Sequence, residues 1–267
     1  MDCGGSCKKC DHGRSCKQGA DCFSGSCEGL LCIPGCPPGM VLVATGNGDF
    51  CIDAREVTQS DYAAFLAKVP SLSGQPPVCG FNSTYQPENN AGGAAACGPS
   101  SYDPTIKGDR PVVCVDWCDA LAYCGSLGKR LCGDIATGGP ISWDQSSKWA
   151  QDEWYRACSG DGFTSYPYGD IYEKFTCNGK DQGVNTTVPV GDLPGCEGGF
   201  PGLFHMSGNA IEWSDACKPN TDPSKEDLCL IRGGSFFDSS IGLQCSKTFS
   251  LPRDGVASDV GFRCCGG

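Results

Sequence analysis

The stretch GLFHMSGNAIEW, from Gly202 to Trp213, carries residue types that can hold a metal ion. Gly208 and Asn209 favour turns and positive φ, which allows successive backbone carbonyls to point to one side. Glu212 follows shortly after and adds a carboxylate oxygen. Carbonyl and carboxylate oxygens are the ligands that Ca²⁺ prefers. The stretch therefore predicts either a calcium site or a plain turn that leads into a strand burying Trp213.

Other chemistries find little support in the sequence. The chain has only two histidines, His12 and His205, so a multi-histidine iron site cannot be assembled. No Gly-x-Ser-x-Gly turn is followed by a histidine in a triad context, and nothing singles out two of the 31 acidic residues for glycoside hydrolysis. A net charge of −11 and a pI near 4.6 argue against nucleic acid as a partner.

The cysteine content indicates the cellular compartment of the protein, since the chain has 23 cysteines in 267 residues. A cytosolic protein would have to keep these thiols reduced, whereas an exported protein uses them as crosslinks. We therefore expect an extracellular, periplasmic or cell-surface protein. No apolar run approaches the roughly eighteen residues of a membrane-spanning helix, and no signal peptide is present. We expect that the N-terminus is processed, and a lipid anchor attached through a removed signal stays an open alternative.

Residues 1–36 hold eight cysteines and very few large apolar residues, so this segment has to be held by crosslinks. The even count fits four disulfides. Zinc is the rival, because Cys7 and Cys10 have the spacing of zinc ligands, but an oxidising compartment favours disulfides. Cys36 begins a CPPG sequence that marks a boundary. We predict a small Cys-rich segment at 1–36 and a main domain at 39–267.

Three helices are predicted in the main domain. Thr58 and Asp61 form a capping signature, and the apolar residues behind them have the i, i+3, i+4 spacing of a helix. Asp116 caps a second helix, which Gly128 ends. A third helix ends at Cys158.

Strands are predicted at 40–44 and 112–115, and short β-type segments at 188–190, 230–231 and 236–237. The 39 glycines and 18 prolines favour an irregular, turn-rich α+β architecture with little regular secondary structure. Residues 70–109 are interpreted as a long loop closed on itself by a disulfide. Short-range disulfides are expected for three pairs, although connectivity is not deducible from sequence: Cys79–Cys97, Cys177–Cys196 and Cys217–Cys229.

Eight sequence blocks, in order, resemble the formylglycine-generating (sulfatase-modifying-factor) proteins. The blocks are GMVLVA, IDAREVTQSDYAAFL, RPVVCVDWCDALAYCGSLGKRL, EWYRACSGDG, YPYGD, GLFHMSGNAIEW, RGGSFF and GFRCC. Eight ordered blocks between about residues 39 and 267 are a more specific signal than one short motif. The resemblance implies the formylglycine-generating-enzyme fold, which is C-type-lectin-like and is here stapled by disulfides.

The resemblance also implies copper chemistry, but the residues for it are missing. These enzymes bind copper through two cysteines just after the Gly-Gly-Ser block and use it with O₂ to oxidise a substrate cysteine; Cu(I) prefers thiolates. The matching segment, 236–244, contains no cysteine, and Asp238 stands where the first copper cysteine would be. Copper and catalysis are therefore not expected. The alternative is an oxidase with a rearranged copper site that uses Cys245 and another thiol.

Two long-range disulfides are implied by the resemblance, Cys158–Cys245 and Cys124–Cys264. Fifteen cysteines lie in the main domain, so one is unpaired or pairs outside it. The partner of Cys265 is left open among four residues: Cys51, Cys114, Cys118 and Cys132.

The family's two structural Ca²⁺ sites are also implied. One site maps onto His205, Gly208, Ala210 and Glu212. Imidazole is a poor Ca²⁺ ligand, so this site either uses more water or is empty. The other site maps onto Asn178 and Gly179, with Asp181 or Asn185 to complete it.

Together these observations predict a catalytically silent scaffold, stabilised by disulfides and Ca²⁺, whose loops bind a protein, peptide or glycan. The candidate binding residues are Phe236, Phe237, Asp238 and Ser239, although either phenylalanine can also belong to the core. A further alternative is a structural component of an extracellular assembly, with the N-terminal segment as its connector.

Overall fold

The computed structural model describes residues 35–44, 48–87, 97, 102–219 and 224–266, with short pieces at 15, 17–18, 21, 27–28 and 30–32. Most of residues 1–36, with most of their expected crosslinks, lies outside the described residues, and the domain boundary at 36–39 stays a prediction. The helices are α1 (Gln59–Leu66), α2 (Trp117–Ser126) and α3 (Glu153–Ser159). Short 3₁₀ turns lie at Pro77–Cys79, Lys180–Gln182 and Ser224–Glu226.

Ten short strands form three sheets in the described part of the chain. Their bounds are β1 Cys27–Glu28, β2 Leu31–Cys32, β3 Met40–Val43, β4 Phe50–Asp53, β5 Arg130–Leu131, β6 Ile211–Lys218, β7 Leu228–Arg232, β8 Thr248–Pro252, β9 Val260–Gly261 and β10 Cys264–Gly266. The hairpin β1–β2 stands alone. One antiparallel sheet has the order β3-β4-β10-β5, and the other has the order β8-β7-β6-β9 with β6 and β9 parallel.

The β3-β4-β10-β5 sheet joins the two ends of the main domain. Ile52 of β4 pairs with Val41 on one side and with Cys265 of β10 on the other. The last strand of the chain is therefore central in its sheet and pairs with strands more than a hundred residues away. This arrangement places Arg263, just before β10, in the interior of the molecule.

The first two helices begin where their capping residues predict. Thr58 and Asp61 exchange the two hydrogen bonds of a capping box, and Asp116 and Asp119 do the same at α2. Gly128, with a φ of +70°, follows the end of α2 and adopts a left-handed conformation that other residues rarely adopt. The two caps fix where each helix enters the core.

Aromatic side chains from α1, α2, β6 and the segment between β9 and β10 form the main core. Tyr62 of α1 stacks on Tyr123 of α2 with ring centroids 5.6 Å apart, and Phe262 meets Tyr123 edge-on at 5.3 Å. Trp213 of β6 is fully buried in the same core, as the second of the two interpretations of its stretch predicts, and its indole N–H donates to the carbonyl of Val115 at 3.0 Å.

Three predicted β segments are irregular in the structure. The apolar run 112–115 is buried but forms no strand, because Cys114 adopts a φ of +64° and interrupts it. Residues 188–190 and 236–237 lie in turns and irregular segments. Of the three short β-type segments, only 230–231 lies within a strand, β7, whereas the predicted strand at 40–44 forms as β3. The strand prediction fails at 112–115 because apolar residues can be buried in an irregular segment as well as in a strand.

Eight disulfides are present among the described residues: Cys36–Cys51, Cys79–Cys118, Cys97–Cys114, Cys124–Cys264, Cys132–Cys265, Cys158–Cys245, Cys177–Cys196 and Cys217–Cys229. All fifteen cysteines after residue 36 belong to these pairs. Both long-range pairs implied by the resemblance are among them, and Cys265 has Cys132 as its partner. Such crosslinking is typical of an oxidising compartment.

Two expectations about cysteine pairing are wrong. Cys79 does not pair with Cys97, because the 3₁₀ turn that ends at Cys79 lies against α2 and meets Cys118, while Cys97 pairs with Cys114. The long loop is therefore tied to α2 and its preceding segment rather than to itself. The eight cysteines of residues 1–36 do not pair only among themselves either, since Cys36 is bonded to Cys51 of the main domain.

The longest helix in the described part of the chain, α2, has ten residues. None of the described helices has the length and apolar content needed to cross a bilayer.

Candidate functional site

The turn at Gly208 and Asn209 forms as the sequence predicts, and it places Asn209 at the centre of a buried polar network. Both residues have positive φ, 73° and 63°. A Cβ at Gly208 would lie 2.6 Å from the backbone oxygen of Asn178, so only glycine fits there. The Asn209 side chain accepts hydrogen bonds from Asn178 Nδ2 (3.0 Å) and Val188 N (2.8 Å), and donates to Glu56 Oε2 (3.1 Å). The turn is thus fixed from three directions.

Glu212, the carboxylate of the predicted calcium site, forms a buried ion pair with Arg263. Arg263 Nε lies 2.9 and 2.7 Å from the two carboxylate oxygens, and Nη2 lies 2.8 Å from Oε1. Trp154 Nε1 donates to Oε2 at 2.7 Å. Glu212 and Arg263 are at most 1% exposed. The carboxylate therefore accepts four hydrogen bonds, which is about the full capacity of two carboxylate oxygens.

Arg263 also donates hydrogen bonds to backbone carbonyls of the GLFHMSGNAIEW stretch and of β4. Arg263 donates to the carbonyls of Asp53 (3.1 Å), Phe204 (2.9 Å) and His205 (3.3 Å). It thereby joins the end of β4, the start of the GLFHMSGNAIEW stretch and β6 through one side chain. The ion pair serves to fix these three segments relative to one another.

The residues of the first predicted calcium site do not fit Ca²⁺. The oxygens of Glu212 are occupied by N–H donors, and Ca²⁺ requires six to eight oxygen ligands. His205 is also engaged, since its Nε2 lies 2.8 Å from the carbonyl oxygen of Asp192. Burial, with a contribution from the charge of Arg263, lowers the pKa of His205 to about 4. The imidazole is therefore neutral near pH 7 and has a structural role; Gly208 and Ala210 lie in the turn.

Glu56 is the second buried carboxylate of this network and was not singled out by the sequence. Its Oε1 accepts from the Ala210 amide at 3.0 Å, and Oε2 accepts from Asn209. Burial, and then the negative charge of Glu212, raises the pKa of Glu56 to about 8. Near pH 7 Glu56 is thus mainly protonated, which avoids two buried charges of like sign.

The second predicted calcium site is only partly assembled. Asn178 is fully buried, and its Oδ1 has no hydrogen-bond partner in the structure as described. Asp181 instead accepts a hydrogen bond from the Tyr172 hydroxyl at 3.0 Å, and the exposed Asn185 side chain donates to Gly183. Asn178 Oδ1 therefore fits an oxygen-seeking cation, with the neighbouring Gly179 carbonyl as the second ligand of the predicted set, but the two expected completing residues are turned to other partners.

The predicted binding residues at 236–239 divide into a buried and an exposed part. Phe236 is 2% exposed and belongs to the core, which is the alternative left open for either phenylalanine. Phe237 is 54% exposed, with its ring centroid 4.3 Å from that of Phe236. Asp238 is half-buried and closes a turn by accepting from the Ser235 amide at 2.9 Å, whereas Ser239 is exposed.

A second segment, 165–181, lies beside 236–244 and carries further aromatic side chains. Tyr166 donates to the Ser240 carbonyl at 3.0 Å, and the Lys180 amide donates to the Asp238 carbonyl at 2.7 Å. Tyr166 stacks almost parallel on Tyr168 at 5.5 Å. We call the surface formed by 165–181 and 236–244 the loop face. Its exposed apolar side chains are Ile171, Phe175, Phe237 and Ile241.

The loop face does not fit the copper ion of the formylglycine-generating enzymes. Segment 236–244 contains no cysteine, and the next one, Cys245, is bonded to Cys158. Among the described residues, the one cluster of three potential metal ligands is Cys132, Cys265 and Glu153. It is closed as well, because the two sulfurs form a disulfide and Glu153 is paired with Arg130.

The ion pair of Glu212 with Arg263 was missed by sequence reasoning, although one signal was available. Arg263 is the only charged residue in the apolar block GFRCC. A lone charge in a buried block requires a buried partner. The identity of that partner, 51 residues earlier in the chain, depends on the tertiary fold.

Comparisons with known proteins place this geometry in a family. Residues 43–266 match the sulfatase-modifying factor enzyme 1-like domain. The chain is 28% identical to the Bos taurus formylglycine-generating enzyme over 196 residues, which is 62% of this chain and 47% of that protein. It is 29% identical to the Bos taurus inactive C-alpha-formylglycine-generating enzyme 2 over 174 residues, 59% of this chain and 50% of the relative. The chain thus spans about half the length of these two curated relatives.

A third relative is matched over a larger share, and solved structures match the fold. The Mus musculus inactive C-alpha-formylglycine-generating enzyme 2 is 26% identical over 80% of this chain and 74% of its own length. Treponema denticola variable protein 1 has a TM-score of 0.53 at 20% identity, covering 82% of this chain and 84% of its own. CarF has a TM-score of 0.52 at 22% identity, covering 82% and 86%. The chain belongs to the family of sulfatase-modifying factor enzyme 1-like domains.

Proposed function

We propose that this protein is a catalytically silent member of its family that binds a protein, peptide or glycan through the loop face. The observation that carries the proposal is the state of the segment after the Gly-Gly-Ser block. It has no cysteine of its own, and the sulfur of Cys245 is used in the disulfide with Cys158. Oxidation of a substrate cysteine through Cu(I) needs thiolate ligands, which this surface does not offer.

Two observations support a binding role for the same surface. Phe237 and Ile241 are 54% and 67% exposed on a segment whose neighbours are fixed by hydrogen bonds and by a disulfide. Exposed apolar side chains on a rigid frame are typical of interaction surfaces. Two of the relatives carry the word "inactive" in their names, so loss of the oxidase activity has precedent in this family.

The proposed setting is an oxidising compartment outside the cytosol, either extracellular, periplasmic or at the cell surface, as the crosslinked cysteines favour. The rearranged oxidase is disfavoured because it needs Cys245 as a free thiol. The role of an assembly component remains a separate proposal, which concentration-dependent polymerisation of the purified protein would support.

A structural Ca²⁺ ion at Asn178 is proposed on one observation, the buried Oδ1 without a partner among the described residues. Asn178 Oδ1 and the Gly179 carbonyl would hold the ion. If this is correct, Ca²⁺ raises the melting temperature of the wild type and has no effect on Asn178→Ala; an equal response of both proteins would contradict it.

The silent function is tested by an oxygen-uptake assay on a cysteine-containing peptide with added Cu(I) and a reductant. The Bos taurus formylglycine-generating enzyme serves as the positive control under the same conditions. We expect no oxygen uptake above the copper blank and no aldehyde in the peptide. Turnover that depends on this protein and disappears in Cys245→Ser would support the rearranged oxidase instead.

A further inference from the structure

A groove with no assigned role lies on another part of the molecule. It has a volume of about 570 Å³, which is within the range of about 300–1,000 Å³ typical of small-molecule sites. Its walls come from the segment between β4 and α1, from the end of α2, and from two later loops. The apolar walls are Val57, Leu127, Val190 and Phe204. None of the residues that line it belongs to the loop face.

The groove carries one cation that lacks a counter-ion. Arg55 is exposed, and its guanidinium lies 5.2 Å from the centre of the Phe204 ring. No hydrogen bond or ion pair is present for Arg55 within the described residues. Contact with an aromatic face holds the guanidinium in place without using its N–H groups as hydrogen-bond donors. A guanidinium held in this way is suited to a carboxylate, which it can bind through two parallel hydrogen bonds.

An acceptor side of the groove is formed by α1 and α2. Tyr123 is 6% exposed and lines the groove, and its hydroxyl has no hydrogen-bond partner among the described groups. Asp61 is exposed, and both hydrogen bonds that its carboxylate accepts in the capping box go to Oδ2. Its Oδ1 therefore remains available to a ligand. A phenol oxygen and a carboxylate oxygen together suit an ammonium group.

The remaining charges along the groove are neutralised internally. Lys129 is paired with Asp53 at 2.6 Å, and the second oxygen of Asp53 accepts from the Cys264 amide. Glu56 also lines the groove, but both its oxygens accept hydrogen bonds from Asn209 and Ala210. The groove thus offers one available positive group and one available negative group, between apolar walls.

We propose that this groove binds a small zwitterion with an apolar side chain, either an amino acid or a short peptide. The α-carboxylate pairs with Arg55, the α-ammonium lies at Asp61 and Tyr123, and the side chain packs on the apolar walls. A polyanion is disfavoured by Asp61, and a polycation by Arg55. This site is separate from the loop face and does not depend on the proposed silent function.

The test is isothermal titration calorimetry of the full chain with four probes. Phenylalanine carries both charges, N-acetyl-phenylalanine lacks the ammonium, phenylalanine amide lacks the carboxylate, and alanyl-phenylalanine distinguishes a peptide from an amino acid. We expect at least one of the two zwitterions to bind and each blocked form to bind about tenfold more weakly or worse, because each has lost a charged hydrogen bond.

Variants assign each charge to its partner. Arg55→Gln should weaken phenylalanine binding about tenfold while leaving phenylalanine amide unchanged, and Asp61→Asn should weaken phenylalanine while leaving N-acetyl-phenylalanine unchanged. Tyr123→Phe tests the hydroxyl without altering the ring. Lys174→Gln is the matched control for removing an exposed cation elsewhere, and Phe237→Ala shows that the loop face is not involved.

Because Asp61 also caps α1, the melting temperature of each variant is measured alongside binding. A folded Arg55→Gln variant with unchanged affinity would overturn the proposal. The proposal would also be overturned if neither zwitterion bound at about 20 mM, which is 20-fold above the Kd of about 1 mM expected for a weak ligand. Equal binding of the blocked and zwitterionic forms would overturn it as well.

Discussion

Replacing Arg263 by methionine should destabilise the fold far more than removing a partly exposed charge. The substitution keeps an unbranched side chain and deletes the guanidinium, which makes three contacts to Glu212 at 2.7 to 2.9 Å and contacts three backbone carbonyls. Removing one partner of a buried ion pair costs about 3–5 kcal/mol, because the other charge is left uncompensated. With the carbonyls also losing their donor, we expect a loss at the upper end of this range, about 5 kcal/mol.

The measurement is urea denaturation followed by tryptophan fluorescence, with all disulfides kept intact. With a slope of about 2 kcal/mol per molar urea, a loss of this size moves the midpoint down by about 2.5 M. The matched control is Arg156→Met, because the pair of Arg156 with Asp161 has side chains 13% and 33% exposed. Because solvent reaches both side chains of this pair, its charges are partly screened, and the control should lose clearly less stability than Arg263→Met.

A double variant separates the ion pair from simple loss of packing. Glu212→Gln combined with Arg263→Met should be less destabilised than the sum of the two single variants, by about 1–3 kcal/mol, since contacting residues are coupled. The reasoning is refuted if Arg263→Met loses no more than the control, or if the two losses add. It is also refuted if chelation lowers the wild-type midpoint and Glu212→Gln abolishes this response, because Glu212 would then hold a metal.

Three further predictions concern Glu56, two disulfides and the adjacent phenylalanines. Since burial and Glu212 raise the pKa of Glu56 from 4.5 to about 8, the folded state favours the protonated form; its stabilisation is complete below about pH 4.5 and is lost as the pH rises through 8. Glu56→Gln should flatten this decline in a urea series from pH 5 to 8.5, and an unchanged slope would contradict the assignment. Removing the Cys158–Cys245 disulfide with two serines should lower the free energy of unfolding by about 4.6 kcal/mol, because the bond closes a loop of 87 residues. Removing Cys177–Cys196, which closes a loop of 19 residues, should lower it by about 3.2 kcal/mol. Denaturant midpoints in the reverse order would contradict this chain-entropy argument. Phe236→Ala should cost about 3–5 kcal/mol and Phe237→Ala about 0.5 kcal/mol or less, and equal losses would place both rings in the core.

Local features of the fold follow from the sequence because neighbouring residues determine them. Thr58 and Asp116 cap their helices through hydrogen bonds that span three residues. Gly208 and Asn209 form the predicted turn because their conformational preferences are intrinsic. The resemblance added two long-range disulfides, Cys124–Cys264 and Cys158–Cys245, that no local rule provides.

The errors arise where a distant partner decides the outcome. Cys79 and Cys97 are close in sequence, but each lies nearer to a cysteine of α2 or of its preceding segment. The run at 112–115 is apolar because it is buried, and its backbone follows the disulfide at Cys114 rather than a sheet. Glu212 carries a carboxylate, which is a typical calcium ligand, but the ion pair with Arg263 occupies its oxygens.

The groove could not be found from the sequence for the same reason. In the sequence, Arg55 lies just before the helix cap Thr58, and Tyr123 lies within the helix that Asp116 caps; neither position indicates a cavity. Only the fold shows that both line one cavity and that neither the Arg55 guanidinium nor the Tyr123 hydroxyl has a hydrogen-bond partner in the described part of the chain.

The most direct test of the central claim is a disulfide map of the native protein by mass spectrometry, combined with a count of free thiols and a copper analysis. The account predicts that all fifteen cysteines after residue 36 are oxidised, that Cys245 is recovered bonded to Cys158, and that no copper is retained. A native protein in which Cys245 is a free thiol and holds copper together with a second cysteine would contradict it.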